Sequence, residues 1–496
     1  MQFLGIDLGS SSIKVAVIDG TSGATLGLAQ YPKQEMEIIS KQSDWAEQDP
    51  DVWFDYVKKA INEVLAVDGV KREDIGAIGI SYQMHGLVLV DKDQNVIRPS
   101  IIWCDSRAVS IGDEAEKELG EEWTLTHLLN SPGNFTASKL KWVKENEPEL
   151  FDKVHKFMLP GDFIAMRLTG EITTTITGLS EGIFWDFDKN AISDELLEYY
   201  GFDQSMIPDI VEGFGSEVNL KADIAEELGL KEGIPVTYRA GDQPNNAFSL
   251  NVLEPGEVAA TAGTSGVVYA VAGKKVYDLQ SRVNVFAHVN HTKETERLGV
   301  LLCVNGTGIQ YAWLRRLMGT ERFDYPTLNE MAESVSPGSE GVMCFPFGNG
   351  AERMLRNVNP GAQFSGINFN IHQDKHMVRA AVEGIAFSFY YGMKIINEMG
   401  IETNVIRAGM ANLFQSKVFA KTLATLSGAT IELYNTDGSV GAARGAGLGV
   451  GFYESASEAF KSLKKVEQIE PEASWQDALR EAYANWEAKL KKILEQ

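Results

Sequence analysis

A unit of strand, glycine-serine turn and strand occurs twice in this 496-residue chain, once at its beginning and once past its middle. Residues 3–19 read FLGIDLGSSSIKVAVID, and residues 257–272 read EVAATAGTSGVVYAVA. Setting Gly9 against Gly263 also pairs Ser11 with Ser265, Ala16 with Ala270 and Val17 with Val271. Four identities can arise by chance, and a plain β-hairpin accounts for either copy taken alone. Taken as a repeat, they put one hairpin with a polar turn into each of two related domains. Length points the same way, because 496 residues are too many for a single hydrophobic core.

Both turns suit an anion. Ser10, Ser11 and Ser12 in the first, and Gly263, Thr264, Ser265 and Gly266 in the second, offer hydroxyls and sterically free N–H groups for phosphate oxygens. Asp7, just before the first turn, is the hard oxygen ligand that Mg²⁺ prefers, directly or through water, and Lys14 sits on the returning strand. Twenty residues before the second turn, a short strand over residues 235–240 runs into Gly241-Asp242, read as a turn that presents a lone carboxylate. A carboxylate able to accept a proton, close to a loop able to hold phosphate, suggests phosphoryl transfer.

The remaining pattern is mixed α/β. Asp49 and Pro50 open a helix whose Trp53, Val57, Ala60, Ile61 and Val64 share one stripe. A strand over residues 75–80 ends in Gln83-Met84-His85-Gly86, beyond a strand end where open α/β sheets bind ligands. This loop offers hydrogen bonds and an apolar wall suited to a small polyol, and Trp103 and Asp105 close the same region. Residues 110–235 read as mostly helical, with no chemistry assignable from pattern. A strand over residues 300–304 enters Asn305-Gly306-Thr307-Gly308 and a helix from about Ile309, a further place for phosphate. Long helices are expected over residues 374–399 and from Trp475, and a Gly/Ala helix over residues 440–451 that lets backbones approach each other or a flat ligand.

The net charge of −24 argues against nucleic acid or an anionic membrane as partner. Cys104, Cys303 and Cys344 have no metal-like or disulfide-like spacing and read as reduced packing residues. No apolar run is long enough for a membrane span, and the chain opens on a strand, so a cytoplasmic protein is expected.

The order Asp7-Leu8-Gly9-Ser10-Ser11, Trp45-Ala46-Glu47-Gln48-Asp49-Pro50, Gln83-Met84-His85-Gly86, Gly241-Asp242 and Gly263-Thr264-Ser265-Gly266 resembles the FGGY carbohydrate kinases over nearly the whole chain. The Gln-Met-His-Gly loop together with Trp-x-Glu-Gln-Asp-Pro is most similar to the branch of that family that phosphorylates D-xylulose. The resemblance implies two α/β, actin-like (ribonuclease H-like) ATPase domains with an inter-domain cleft: a sugar-binding domain over residues 1–247 and a nucleotide-binding domain over residues 248–496. It implies Asp242 as general base, with Gln83, Met84, His85, Trp103, Asp105, Gln243 and Asn246 around the sugar. Ser10, Ser11, Lys14, Gly263, Thr264, Ser265 and Gly306 would hold ATP phosphates, Gly409, Met410 and Asn412 the adenine side, and Asp7 the Mg²⁺. Two departures stand out. Gln243-Pro244 intervenes before Asn245 and Asn246, leaving open which amide meets the sugar, and Ala408-Gly409-Met410-Ala411-Asn412 keeps one glycine where the family has a run.

The implied activity is ATP-dependent phosphorylation of D-xylulose to D-xylulose 5-phosphate. The alternatives are a related kinase of another ketose or polyol, such as ribulose, and an actin-like ATPase switch without a sugar. Partners are then the sugar and ATP, with a homodimer as the assembly to test.

Overall fold

The computed structural model describes residues 1–215 and 218–495. Five strands, β1 (Gln2–Leu8), β2 (Ile13–Asp19), β3 (Thr25–Tyr31), β4 (Ile75–Tyr82) and β5 (Val236–Gly241), form one sheet in the order β5-β4-β1-β2-β3. β1 and β2 are antiparallel with Asp7 opposite Lys14, whereas β1–β4 and β4–β5 are parallel. Every β1 side chain except the half-buried Asp7 is buried, as strands covered on both faces require.

A second sheet gathers β6 (Val258–Ala262), β7 (Gly266–Ala272), β8 (Asn284–Ala287), β9 (Leu298–Val304), β10 (Val405–Gly409), β11 (Thr430–Tyr434) and β12 (Lys465–Ile469), in the order β8-β9-β7-β6-β10-β11-β12. The repeated unit holds the same place in both sheets. In each, the first strand of an antiparallel hairpin also pairs in parallel on its other side, β1 with β4 and β6 with β10. Gly9 and Gly263 each follow that strand directly, so both polar turns leave equivalent strand ends. This is the expected pair of actin-like α/β units.

α1 (Pro50–Val64) packs on the first sheet; the Asp49 side chain caps it, and Trp53, Phe54, Val57, Ala60, Ile61 and Val64 are buried. Each of the Phe, Val and Ile side chains among them contributes about 1.5–3 kcal/mol of gross transfer free energy. Further along run α2 (Thr136–Asn146), α3 (Ile176–Glu181), α4 (Asp242–Ser249), α5 (Gly308–Met318), α6 (Asp374–Glu398), α7 (Gly438–Gly449) and α8 (Gln476–Leu494). Although it belongs to the second half of the sequence, α7 lies across β1, β4 and β5 of the first sheet. A Cβ at Gly5 would stand 2.0 Å from the Ser439 carbonyl oxygen, and one at Gly79 2.1 Å from that of Ala442. The Gly/Ala composition of α7 therefore serves backbone-to-backbone packing.

The expected turn at Gly241-Asp242 is instead a junction, with β5 giving way to α4 at Asp242 without a loop. A carboxylate is favoured at a helix N-terminus, and Pro244 in the first turn forfeits only an N–H that has no partner inside the helix. Within residues 110–235, strand and turn elements are found as expected at Thr173–Thr174 and Trp185–Asp186, and further two-residue strands at Ala191–Ile192 and Asp209–Ile210 interrupt the expected helices. Cys303 is half-buried and Cys344 buried, but Cys104 is exposed and does not act as a packing residue. Among the described residues no helix is long and apolar enough to cross a membrane.

Two ties from the first half cover β8, an edge strand of the second sheet. The Asn130 side chain donates to the Val285 carbonyl at 2.6 Å and accepts from its N–H at 3.0 Å. Ser180 Oγ accepts from Ala287 N at 2.8 Å. An edge satisfied in this way is closed to further strands.

Candidate active site

β4 delivers the loop that follows it to the end of the first sheet, and Gln83 N donates to the Leu8 carbonyl at 2.7 Å. His85 adopts a positive φ of 60°. Its N–H donates to Glu181 Oε1 at 3.2 Å, and its Nδ1 lies 3.0 Å from the Glu181 carbonyl oxygen. A carbonyl only accepts, so Nδ1 carries the proton and Nε2 is left as an acceptor. Burial, reinforced by the Lys139 charge, lowers the His85 pKa to about 3, so the ring works as a neutral group. Phe135 and Phe286, with ring centroids 4.8 Å and 5.2 Å away, wall it in. Lys139, buried on α2, donates to the carbonyls of His85 and Ile102 at 2.9 Å and 3.0 Å. Burial brings its pKa down to about 7.

Gln83 is buried, with its Nε2 3.3 Å from Gln48 Oε1 and its own Oε1 without a partner. Gln48 in turn donates to the Ser10 carbonyl at 2.7 Å, so the Gln83-Met84-His85 loop and the first serine turn share one network. Trp103 is half exposed and its Nε1 donates to Ser10 Oγ at 3.3 Å. Asp105 corrects the expectation that it lines the sugar. Its carboxylate is fully buried and engaged by Arg107 Nε and Nη2 and by the N–H groups of Ala46 and Arg107, which leaves it a structural brace.

Asp242 stands at the head of α4. Burial, and then the like charge of Asp7, pushes its pKa up to about 7, while hydrogen bonds from the Gln243 N–H and side chain oppose the rise. The Asn245 side chain is occupied, accepting from Tyr238 OH at 3.1 Å and donating to the Gly438 carbonyl at 2.9 Å. Asn246 is half-buried one helical turn after Asp242, on the same face.

Asp7 accepts from Ser81 Oγ at 2.9 Å. Burial and the nearby Asp437 raise its pKa, against the pull of Ser81 and Lys14. The N-terminus of α7 touches this carboxylate, since a Cβ at Gly438 would stand 2.5 Å from Asp7 Oδ2. On the second sheet, Thr264 and Ser265 are exposed at the β6–β7 turn. The Gly263 and Thr264 carbonyls accept from Gly308 N and Ile309 N at 2.8 Å and 3.0 Å, pinning that turn to the start of α5. Asn412, with φ of 54°, brings its amide to 3.6 Å from a Cβ built on Gly263, and Met410 N donates to the Tyr434 carbonyl at 2.8 Å beside Gly409.

Gly306 is packed against the Pro346 carbonyl, and its N–H serves the buried Glu352 carboxylate, which also accepts from Asn305 N at 3.0 Å. Beside Gly306 opens a 280 Å³ cavity lined by Gln310, Trp313, Pro346 and Phe364, a size and polarity suited to a flat heterocycle. Gln310 Oε1 is buried there without a partner. Burial, and then the Glu352 charge, push the Cys303 thiol on β9 up to about 11, with the Asp242 charge a smaller cause in the same direction.

Residues 2–249 match the N-terminal domain, and residues 258–448 the C-terminal domain, of the FGGY family of carbohydrate kinases. The chain belongs to that family. Its similarity to the xylulose kinase of Bacillus subtilis is 29% identity over 471 residues, covering 92% of this chain and 89% of the relative. With the Escherichia coli xylulose kinase it is 28% over 445 residues, covering 90% and 88%. A solved xylulose kinase structure from Brucella ovis superposes with a TM-score of 0.89 at 25% identity, over 99% of each chain. Plasmodium falciparum glycerol kinase with ADP superposes at 0.88 and 20% identity, over 100% of this chain and 98% of the other, a likeness of fold alone.

Within this FGGY kinase, four residues of the site escaped the sequence reading. Glu181, Lys139 and Glu352 are buried ionisable groups whose partners lie 47 to 96 positions away for the contacts at issue, so no local pattern marks them. Gln48 had a signal, since it belongs to the Trp-Ala-Glu-Gln-Asp-Pro motif. What the motif did not reveal is that its side chain links Gln83 to Ser10.

Proposed function

We propose that this FGGY kinase transfers the γ-phosphoryl group of ATP to the terminal hydroxyl of D-xylulose, giving D-xylulose 5-phosphate. Residues 1–247 hold the sugar and residues 248–496 the nucleotide. The observation that carries this reading is Asp242 at the head of α4, within reach of the Asp7 charge and directly after Gly241, over which Met84 and the His85-bound Glu181 carboxyl converge. Names of relatives add support, because the two curated relatives above are xylulose kinases.

Asp242 orients the attacking hydroxyl and takes its proton, and a pKa of about 7 matches a base that works near neutrality. His85 Nε2 accepts from a sugar hydroxyl, Met84 supplies apolar contact, and Gln83, Trp103, Gln243 and Asn246 frame the rest. Ser10, Ser11, Lys14, Gly263, Thr264 and Ser265 bind phosphate oxygens, while Gly409, Met410 and Asn412 flank the adenine side with the cavity beside Gly306. The transition state of phosphoryl transfer is loose, so the rate comes mainly from alignment and charge stabilisation by these groups.

The residues fit a divalent cation. Asp7 and Asp437 repel one another in a partly desolvated place, and no cluster of three acidic, His or Cys ligands occurs among the described residues. Mg²⁺ would thus be held by Asp7, phosphates and water, and when bound it neutralises the phosphate charge.

A coupled assay of ADP release tests the reading with D-xylulose, ribulose, gluconate and glycerol as acceptors. D-Xylulose is expected to give the highest kcat/KM. A better turnover of another acceptor overturns the substrate, and sugar-independent ADP release overturns the sugar-kinase reading itself.

A further inference from the structure

Given the sugar-kinase reading above, we propose that Glu181 is a positioning residue of the sugar site, its carboxyl group fixing the His85 backbone and the Met84 side chain against the Gly241–Asp242 junction. Glu181 is the last residue of α3 and is 2% exposed. Oε1 accepts from His85 N at 3.2 Å, and the Glu181 carbonyl meets His85 Nδ1 at 3.0 Å, so one residue fixes both the backbone and the ring tautomer of His85. Oε2 reaches the other side of the site. A Cβ placed on Gly241 would lie 2.6 Å from Glu181 Oε2 and 2.6 Å from Met84 Cγ. Three groups from separate parts of the chain therefore meet at a spot that only glycine leaves open.

The titratable groups facing Glu181 are Tyr82, Asp162, Asp242, Tyr269 and Lys139, and Asp162 is itself paired with Arg239 at 2.9 Å. Lys139 is near but is engaged by the His85 and Ile102 carbonyls. Burial first, and then the Asp242 and Asp162 charges, raise the pKa of this carboxyl well above the ordinary value and favour its neutral form, while hydrogen bonds from His85 and Tyr82 oppose the rise. Oε1 supplies an acceptor to His85, and Oε2 shares the space over Gly241 with the Met84 side chain. His85 needs that support, because its φ of 60° is a strained choice for a non-glycine residue.

α3 is also anchored across the two halves, since Ser180 Oγ accepts from Ala287 N on β8 at 2.8 Å. Glu181 therefore holds the sugar wall from a helix registered to both sheets.

The test compares Glu181→Gln, Glu181→Leu and Gly241→Ala with the wild type, reading KM for the sugar and KM for ATP separately. Glu181→Gln keeps an acceptor in a neutral isostere and retains the wild-type sugar KM. Glu181→Leu orphans the His85 N–H and raises the sugar KM about tenfold, with the ATP KM unchanged. Gly241→Ala displaces the same contact and gives the same split, which keeps the test open if Glu181→Leu does not fold. The proposal is overturned by an unchanged sugar KM in both Glu181→Leu and Gly241→Ala, by sugar and ATP constants rising together, or by Glu181→Gln as impaired as Glu181→Leu. A wild type that phosphorylates no ketose or polyol overturns the sugar-kinase reading and this role with it. An active wild type with an indifferent Glu181→Leu overturns only the latter.

Discussion

Burial sets the protonation of the residues that matter most. Asp242 titrates near about 7, so the sugar kcat/KM is expected to fall as pH drops below that value and the base becomes protonated; a pH–rate profile checks it. Glu352 offers a complementary test on stability. Its folded pKa is raised from 4.5 to about 7, mainly by burial. Its favourable contribution is therefore complete below about 4.5 and is lost as pH rises through about 7. Glu352→Gln lacks that loss, so the melting-temperature difference between variant and wild type should shift in the variant's favour across this window. Some of this was legible in the sequence. Asp242 and the hydroxyls of Ser10, Ser11, Thr264 and Ser265 stand out because glycine breaks strand patterns beside them. Asp105 was misread although Arg107, two residues on, is the partner that consumes its carboxylate. Glu181 gave no signal, since its meaning lies in contacts with residues 85 and 241 that only the fold creates.

At the scale of elements, the hairpin with a polar turn proved the most informative stretch. Its two copies occupy matching places in the two sheets, and strand periodicity with glycine boundaries was enough to find them. The junction from β5 to α4 was harder, because Gly-Asp is also turn chemistry and only the following helix decides between the readings. The placement of α7 was beyond the sequence, since a Gly/Ala helix names no partner. Its dependence on close approach is testable at Gly79, where a Cβ would stand 2.1 Å from the Ala442 carbonyl. Gly79→Ala should destabilise the protein by about 1–3 kcal/mol, the usual cost of overpacking, measured by urea unfolding. Wild-type stability would refute the proposed packing constraint.

For the whole molecule, the proposed centre draws on both halves of the chain. The first sheet supplies Asp7, His85 and the approach to Asp242, the second supplies the Gly263–Ser265 turn, and α7 from the second half buttresses the first sheet. Asn130 joins the halves through both polar groups of Val285. Asn130→Ala leaves that N–H and carbonyl unpaired in a buried place and should cost about 2–4 kcal/mol in denaturant unfolding, with the nucleotide contacts themselves untouched.

The most direct test of the central claim, that Asp242 is the base serving a sugar and a nucleotide held by different lobes, is Asp242→Ala assayed for both ATP binding by calorimetry and D-xylulose-dependent ADP release. The prediction is wild-type ATP affinity with turnover reduced by roughly 10²–10⁴-fold. Near-normal turnover in that variant would contradict it.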